Sequence, residues 1–193
     1  MSATAIYGFV AHGVIFGAFV SLLPLGGKRR LLGLAAIPIA LASGIAALMH
    51  GIAGTPSLTL LALAIWLLAG KTRSPLTQRS ALILFAFALP FYTMALGFGP
   101  FDPYAIGYQP LPLLAASLPL ALLLWWHRLD GWLLILALAL AGYASGLFAN
   151  LWDALFDPLL MLVALAVVIG HYTISGKKPR VDSSDQGINL QDQ

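Results

Sequence analysis

The chain of 193 residues contains no cysteine and no glutamate, and charged residues make up only 9% of it. The lack of cysteine excludes disulfide bonds, zinc–thiolate centres, iron–sulfur clusters and cysteine nucleophiles. Soluble domains carry roughly 25% charged residues, whereas this chain is 60% hydrophobic. Because so apolar a chain cannot cover itself with polar surface, its outer surface must face lipid. We therefore expect an all-α integral membrane protein whose main partner is the lipid bilayer.

Seven apolar stretches are candidates for transmembrane helices, which need about 20 residues to cross the hydrocarbon layer. They cover residues 5–25, 31–50, 57–70, 80–97, 111–126, 131–149 and 158–172. No positive charge precedes the first stretch, so we expect it to be a retained span rather than a cleaved signal peptide. Residues 1–175 are thus predicted to form one polytopic helical bundle. Residues 176–193 are polar and are predicted to form a disordered tail.

Basic residues are missing from every second connection between these spans. All ten follow an odd-numbered span, and they are Lys28, Arg29, Arg30, Lys71, Arg73, Arg79, Arg128, Lys177, Lys178 and Arg180. Since Lys and Arg accumulate on the cytoplasmic side, the pattern predicts an N-terminus outside and a cytoplasmic tail. It indicates a multi-pass protein of the cell (inner) membrane. The net charge of +3 comes from these basic residues that flank the spans. Because they are explained by membrane orientation, we do not expect nucleic acid as a partner.

The predicted spans also lack any deeply placed Asp, Lys or Arg. Pumps and proton-coupled carriers keep such a charge in spite of its insertion cost, because it serves transport. A seven-span retinal protein would need a Schiff-base lysine inside a helix, so that class is excluded. His12, near 10 Å into the first span at 1.5 Å per residue, is the deepest ionisable residue.

Glycine and proline patterns predict how the spans pack. Gly13 and Gly17 form a GxxxG pattern, which lets helix backbones approach closely, and we expect that approach inside the bundle. Pro38, Pro90 and Pro119 lie within spans, where each removes one backbone hydrogen bond and tends to kink its helix.

Polar residues concentrate in the predicted outer halves of the spans and in the outer connections. We predict that they form a ligand-binding pocket that opens to the extracytoplasmic side beneath segments 98–110 and 150–157. Its candidate residues are His12, Ser43, His50, Tyr92, Asp102, Tyr143, Asp153 and Asp157. The structural alternative is that the serines bond their own helix carbonyls and the tyrosines anchor the protein at the interface.

Two aspartates form the sharpest local motif. Asp157 followed by Pro158 is typical of a helix start, with the aspartate as N-cap. If residues 150–157 are helical, Asp153 and Asp157 share a face and form an acidic mouth that favours cations or neutral polar solutes. Together with His50 and Asp102 they could hold a metal ion, but their spacing matches no metal motif.

A cofactor is not expected either. His127 and His171 occur at matching depth near the inner ends of two spans, as bis-histidine haem would require. Both also lie at helix C-termini, where a histidine interacts favourably with the helix dipole. We prefer the second interpretation and predict no cofactor and no metal.

Three functions remain open. The preferred one is a small permease, channel-like or ligand-binding component that is not an enzyme. The first alternative is an accessory subunit of a larger membrane complex, with other membrane subunits as partners. The second is an outer-leaflet hydrolase that uses Ser43 with His12 or His50, although the sequence contains no GxSxG or HExxH motif.

Overall fold

The computed structural model describes residues 2–70 and 74–175, and within these ranges it contains helices and turns but no strand. The helices are α1 (Ala3–Leu22), α2 (Arg29–Ala42), α3 (Ile45–Ala53), α4 (Leu58–Leu68), α5 (Gln78–Thr93), α6 (Pro110–Trp126), α7 (Asp130–Ala144), α8 (Leu151–Leu155) and α9 (Pro158–Ser175). Short 3-10 turns cover Gly26–Lys28 and Tyr104–Tyr108, and a π-helical turn, Met94–Phe98, extends α5. The all-α prediction is confirmed. The predicted tail, residues 176–193, lies outside the described residues.

Several helices are suited to a membrane. Ala3–Leu22, Gln78–Phe98 and Leu151–Gly170 are long and apolar enough to cross one, and the pair Gly26–Ala42 and Ile45–Ala53 adds a fourth if it forms one bent span. Three further apolar helices are shorter, namely Leu58–Leu68, Leu111–Trp126 and Asp130–Ala144. The structure thus supports a helical membrane protein with three or four candidate spanning helices. The count of seven spans and the orientation of the termini stay predictions.

Glycine brings α1 and α2 together. Gly17 packs against the carbonyl oxygen of Gly33, and Gly33 packs against that of Gly17, so that a methyl group at either position would collide with backbone. One turn earlier on α1, Gly13 faces Leu41 of α2. The close approach predicted from the GxxxG pattern is therefore confirmed inside the bundle.

One segment that was expected to be continuous is broken. Residues 31–50 form α2 and α3, which meet at an angle of 80°, because Gly44 adopts a left-handed conformation with φ of 82°. Pro38 remains inside α2, so the sharp bend occurs at the glycine rather than at the proline. Farther along the chain, Phe156 is extended and separates α8 from α9. Residues 150–157 therefore do not form one helix, and the condition for Asp153 and Asp157 to share a helix face is not met.

The core centres on α4, which packs against α1, α7 and α9. Its 11 residues span only about 16 Å, roughly half the hydrocarbon thickness. Its buried side chains include Leu60, Leu63, Ala64 and Leu68. An apolar helix of this length is accommodated because protein, and not only lipid, surrounds it.

The connections between helices gather in two groups. One group, which we call the polar end, contains residues 54–57, 98–109, 145–150 and 156–157; two of its segments are joined where the Ser57 amide donates to Asp157. The other group, the basic end, contains residues 23–28, 74–77 and 127–129. The 20 residues of α1, about 30 Å long, separate the two groups.

Candidate functional site

A single carboxylate joins two helices at the polar end. Asp157 is buried, and its two oxygens accept hydrogen bonds from the Ser57 amide at 2.7 Å and from the Leu160 amide at 2.8 Å. The second bond caps α9, so the predicted N-cap role of Asp157 is confirmed. The first bond brings the start of α4 to the start of α9. A negative charge between two helix N-termini is electrostatically favourable.

The segment 98–109 is tied to α8 by a set of hydrogen bonds. The Tyr104 hydroxyl donates to an Asp153 oxygen at 2.8 Å, and the Asn150 amide donates to the Tyr104 carbonyl at 3.1 Å. The Trp152 indole donates to the Pro103 carbonyl at 3.0 Å. Gly107 lies directly against the Asn150 side-chain oxygen, where a larger residue would not fit. The segment is therefore held in one place over α8.

Beneath this segment lies a cleft with a volume of about 300 Å³. Aromatic residues make up half of its lining, and Asp153 and Asp157 also belong to it. Its lining consists of Ala53, Thr55, Phe91, Tyr92, Tyr104, Trp152, Asp153, Phe156, Asp157 and Pro158. The aromatic rings pack on one another, with Phe91 and Trp152 centred 4.8 Å apart and Tyr92 and Phe156 5.6 Å apart. Rings packed in this way form a rigid wall.

Some polar atoms of the cleft are already used, and others are not. Burial, and then the hydrogen bond to the Asp153 carboxylate, raise the pKa of Tyr104, so its hydroxyl remains a donor near neutral pH. That bond occupies one oxygen of Asp153. Within the described ranges, neither the other Asp153 oxygen nor the Tyr92 hydroxyl has a hydrogen-bond partner. These two groups are free to contact a ligand.

The predicted site residues do not all meet. Tyr92, Asp153 and Asp157 line the cleft. Asp102 lies nearby but is exposed, and it accepts a hydrogen bond from the Tyr104 amide at 2.9 Å. Tyr143 packs instead against the cluster of Ala139, Phe148 and Ala154 and does not line the cleft.

The other three predicted site residues, Ser43, His12 and His50, lie outside the cleft. Ser43 is exposed at the bend between α2 and α3. His12 and His50 contact each other, with ring centres 5.6 Å apart, but neither lines the cleft. Ser43 makes no described hydrogen bond with either histidine, so the contact between nucleophile and base that a hydrolase needs is not formed.

The metal site that the sequence suggested, with His50, Asp102, Asp153 and Asp157 as ligands, gains no support from this geometry. No group of three or more His, Cys or acidic side chains converges in the part of the chain that the structure describes. His127 ends α6 and is exposed. The side chain of His171 lies outside the described part, so the haem alternative is not tested.

Sequence reasoning missed most of the wall of the cleft. Phe91, Trp152 and Phe156 are ordinary membrane residues in the sequence, and nothing in their spacing predicts that they meet. The one available signal was the density of aromatic residues in 98–110, from which Tyr104 could have been chosen. Comparison with known proteins identified no matching family model, no similar curated protein and no similar solved structure.

Proposed function

We propose that this protein is a multi-pass ligand-binding or transport component of the cell membrane whose cleft at the polar end takes a small organic cation. The observation that carries the proposal is the free Asp153 oxygen in a cleft walled by Phe91, Tyr92, Tyr104, Trp152 and Phe156.

The chemistry of the cleft favours an ammonium group over other ligands. Aromatic faces attract cations, and the attraction strengthens where water is excluded. The Asp153 carboxylate supplies the counter-charge, and the Tyr92 hydroxyl can accept or donate one hydrogen bond. An anion has no suitable partner here, because the lining contains no Lys or Arg. A cleft of about 300 Å³ is at the lower limit for ligand sites, which suits a small solute.

The arrangement of the two ends supports seven passes with the polar end outside. The connections alternate between the basic end and the polar end from α1 to α9, if α2 and α3 count as one bent pass. Two contacts hold the connections of the basic end together. The Arg30 side chain, at the start of α2, packs against Gly70, which follows α4. The Trp132 indole of α7 donates to the carbonyl of Pro75, which precedes α5, at 2.9 Å. Because basic residues stay in the cytoplasm, the cleft then opens to the extracytoplasmic side.

Cation binding by the purified protein tests the proposal. Trp152 lines the cleft, so its fluorescence should change when tetramethylammonium or choline binds. Asp153→Asn removes the charge but keeps an acceptor for Tyr104, and we expect it to weaken binding at least tenfold. Asp102→Asn, at an exposed carboxylate outside the cleft, is the matched control and should bind normally.

Two outcomes would contradict the proposal. If neither cation alters the fluorescence or the thermal midpoint of the wild-type protein, the cleft does not select organic cations. If Asp153→Asn and Asp102→Asn weaken binding equally, the cation responds to general surface charge and not to the cleft.

An accessory subunit is the second candidate, and the position of α6 favours it. This helix packs mainly on α7, and large apolar side chains remain exposed along it, including Leu111, Leu118, Trp125 and Trp126. Such a face can contact lipid or a helix of another subunit. Native mass spectrometry after gentle extraction distinguishes the accessory subunit from the cation-binding component. A protein partner in stoichiometric amount supports the accessory subunit, and the absence of such a partner argues against it.

A further inference from the structure

Two histidines meet between α1 and α3, beside the cleft but outside its lining. His12 is fully buried, and its Nδ1 lies 2.8 Å from the Gly8 carbonyl oxygen. The ring of His50 packs on Gly8, where a Cβ atom would collide with it. The two ring centres are 5.6 Å apart, and the ring planes are inclined by 62°. Gly8 thus provides the space in which the pair forms.

The partners of the two Nδ1 atoms fix both tautomers. A carbonyl oxygen can only accept, so Nδ1 of His12 must donate to Gly8. The same reasoning applies to His50, whose Nδ1 lies 3.0 Å from the Gly54 carbonyl oxygen. In the neutral state, both Nε2 atoms therefore carry a lone pair.

Nε2 of His12 is the unusual atom of the pair. It is buried and has no hydrogen-bond partner among the described residues, whereas nearly all buried polar atoms in proteins have one. Nε2 of His50 cannot satisfy it, because two lone pairs do not bond to each other. A metal ion can bridge the two lone pairs, as can a hydrogen-bond donor such as water.

We propose that His12 and His50 bind a transition-metal ion of the copper–zinc class through their Nε2 atoms. Imidazole is a preferred ligand of these metals. Metal-binding histidines commonly donate their other ring N–H to a backbone carbonyl, which fixes the tautomer, and both residues do so here. The proposal concerns a site separate from the cleft and does not depend on cation binding there.

The dimensions of the pair agree with one shared ion. Two imidazoles bound to one ion at about 2.0–2.1 Å place their ring centres roughly 5–6 Å apart, and the observed separation is 5.6 Å. His50 is only half-buried, so an ion can enter from its side. Two protein ligands leave positions open for water or a solute.

Metal content of the full-length protein tests the site directly. The purified protein is incubated separately with Zn²⁺ and with Cu⁺ and then desalted. The amount of bound metal per protein is measured by elemental mass spectrometry. We expect one equivalent of at least one of these ions in the wild type, and a rise in thermal midpoint on loading. His50→Gln and His12→Gln should reduce the content to near zero. His127→Gln, which changes an exposed histidine at the end of α6, is the matched control and should retain the full equivalent.

The design remains decisive if a variant folds poorly. His12 is buried and its replacement could disturb α1. The decisive comparison is therefore the metal content of His50→Gln, at the half-buried position, against that of the wild type. Asp153→Asn should keep the metal, which separates this site from the cation cleft. The proposal is overturned if the wild type holds no more metal than His50→Gln, since water or a shared proton then satisfies the two nitrogens. Equal loss in His127→Gln would overturn it as well.

Discussion

The two ends of the bundle are held together in different ways. At the polar end, side chains bond to backbone atoms that are distant in sequence, as Asp157 does with Ser57 across 100 positions. At the basic end, several of the described bonds are local, as in the capping box formed by Thr77 and Ser80, although the Trp132 indole also donates to the Pro75 carbonyl across 57 positions. Each end has a cleft, but the one at the basic end, about 390 Å³, is lined by Arg29 and Arg30, which are exposed.

This difference indicates which end has a preorganised site. Long-range bonds at the polar end hold aromatic and acidic groups in fixed positions before any ligand arrives, which reduces the cost of binding. Exposed arginines at the basic end keep their hydration and contribute little to stability. Their position agrees with the proposed cytoplasmic location of the basic end.

The largest expected effect comes from Asp157→Ala at the polar end. The substitution removes the shared acceptor of the Ser57 and Leu160 amides and should cost about 3–6 kcal/mol, since hydrogen bonds to charged groups contribute roughly 1.5–3 kcal/mol each. The thermal midpoint in detergent should fall by roughly 10 °C. Asp102→Ala, at an exposed turn, is the control and should lower it far less. Equal shifts would show that Asp157 does not join α4 to α9 as described.

A smaller loss is expected from Gly107→Ala in the segment over α8. The added methyl group would collide with the Asn150 side chain, so we expect a loss of about 1–3 kcal/mol. Gly51→Ala is the matched control, because Gly51 lies in α3 with open space around it. That change should be neutral or stabilise by up to about 1 kcal/mol. A tolerated Gly107→Ala would mean that the segment does not pack closely on α8.

The smallest effect is expected at the basic end, from Thr77→Ala. Loss of one side of the capping box should destabilise the protein by about 1 kcal/mol. Thr93→Ala is its control. In the described part of the chain, the Thr93 hydroxyl donates to the Leu89 carbonyl of its own helix, and loss of this local bond should change the thermal midpoint little. If Thr77→Ala costs as much as Asp157→Ala, the contrast between the two ends is wrong.

Local features were predictable from the sequence because neighbouring residues determine them. Asp157 and Pro158 alone indicated a helix start, and Gly13 with Gly17 indicated close packing. The bend at Gly44 was not predictable, because one glycine among apolar residues leaves hydropathy unchanged while a positive φ ends the helix. Helix lengths such as the 11 residues of α4 depend on tertiary packing, which composition does not encode.

The sequence indicated a region but not a set of contacts. The grouping of polar residues in the predicted outer halves predicted that Tyr92, Asp153 and Asp157 lie together, and these three residues do line one cleft. That this cleft binds a ligand stays a prediction. The same pattern could not separate His12 and His50 into a pair of their own. That separation depends on which helix faces meet, and Gly8 decides it by giving space to the His50 ring.

Labelling of single cysteines tests the central claim, that the two ends face opposite sides of the membrane. The chain contains no cysteine, so one can be introduced at a time without a background. Asp102→Cys and Ser145→Cys mark the polar end, and Gly27→Cys and Ser74→Cys mark the basic end; all four positions are exposed. We predict that a membrane-impermeant maleimide labels the first two in intact cells and the last two only after permeabilisation. Labelling of both ends from one side, or of the basic end alone in intact cells, would contradict the account.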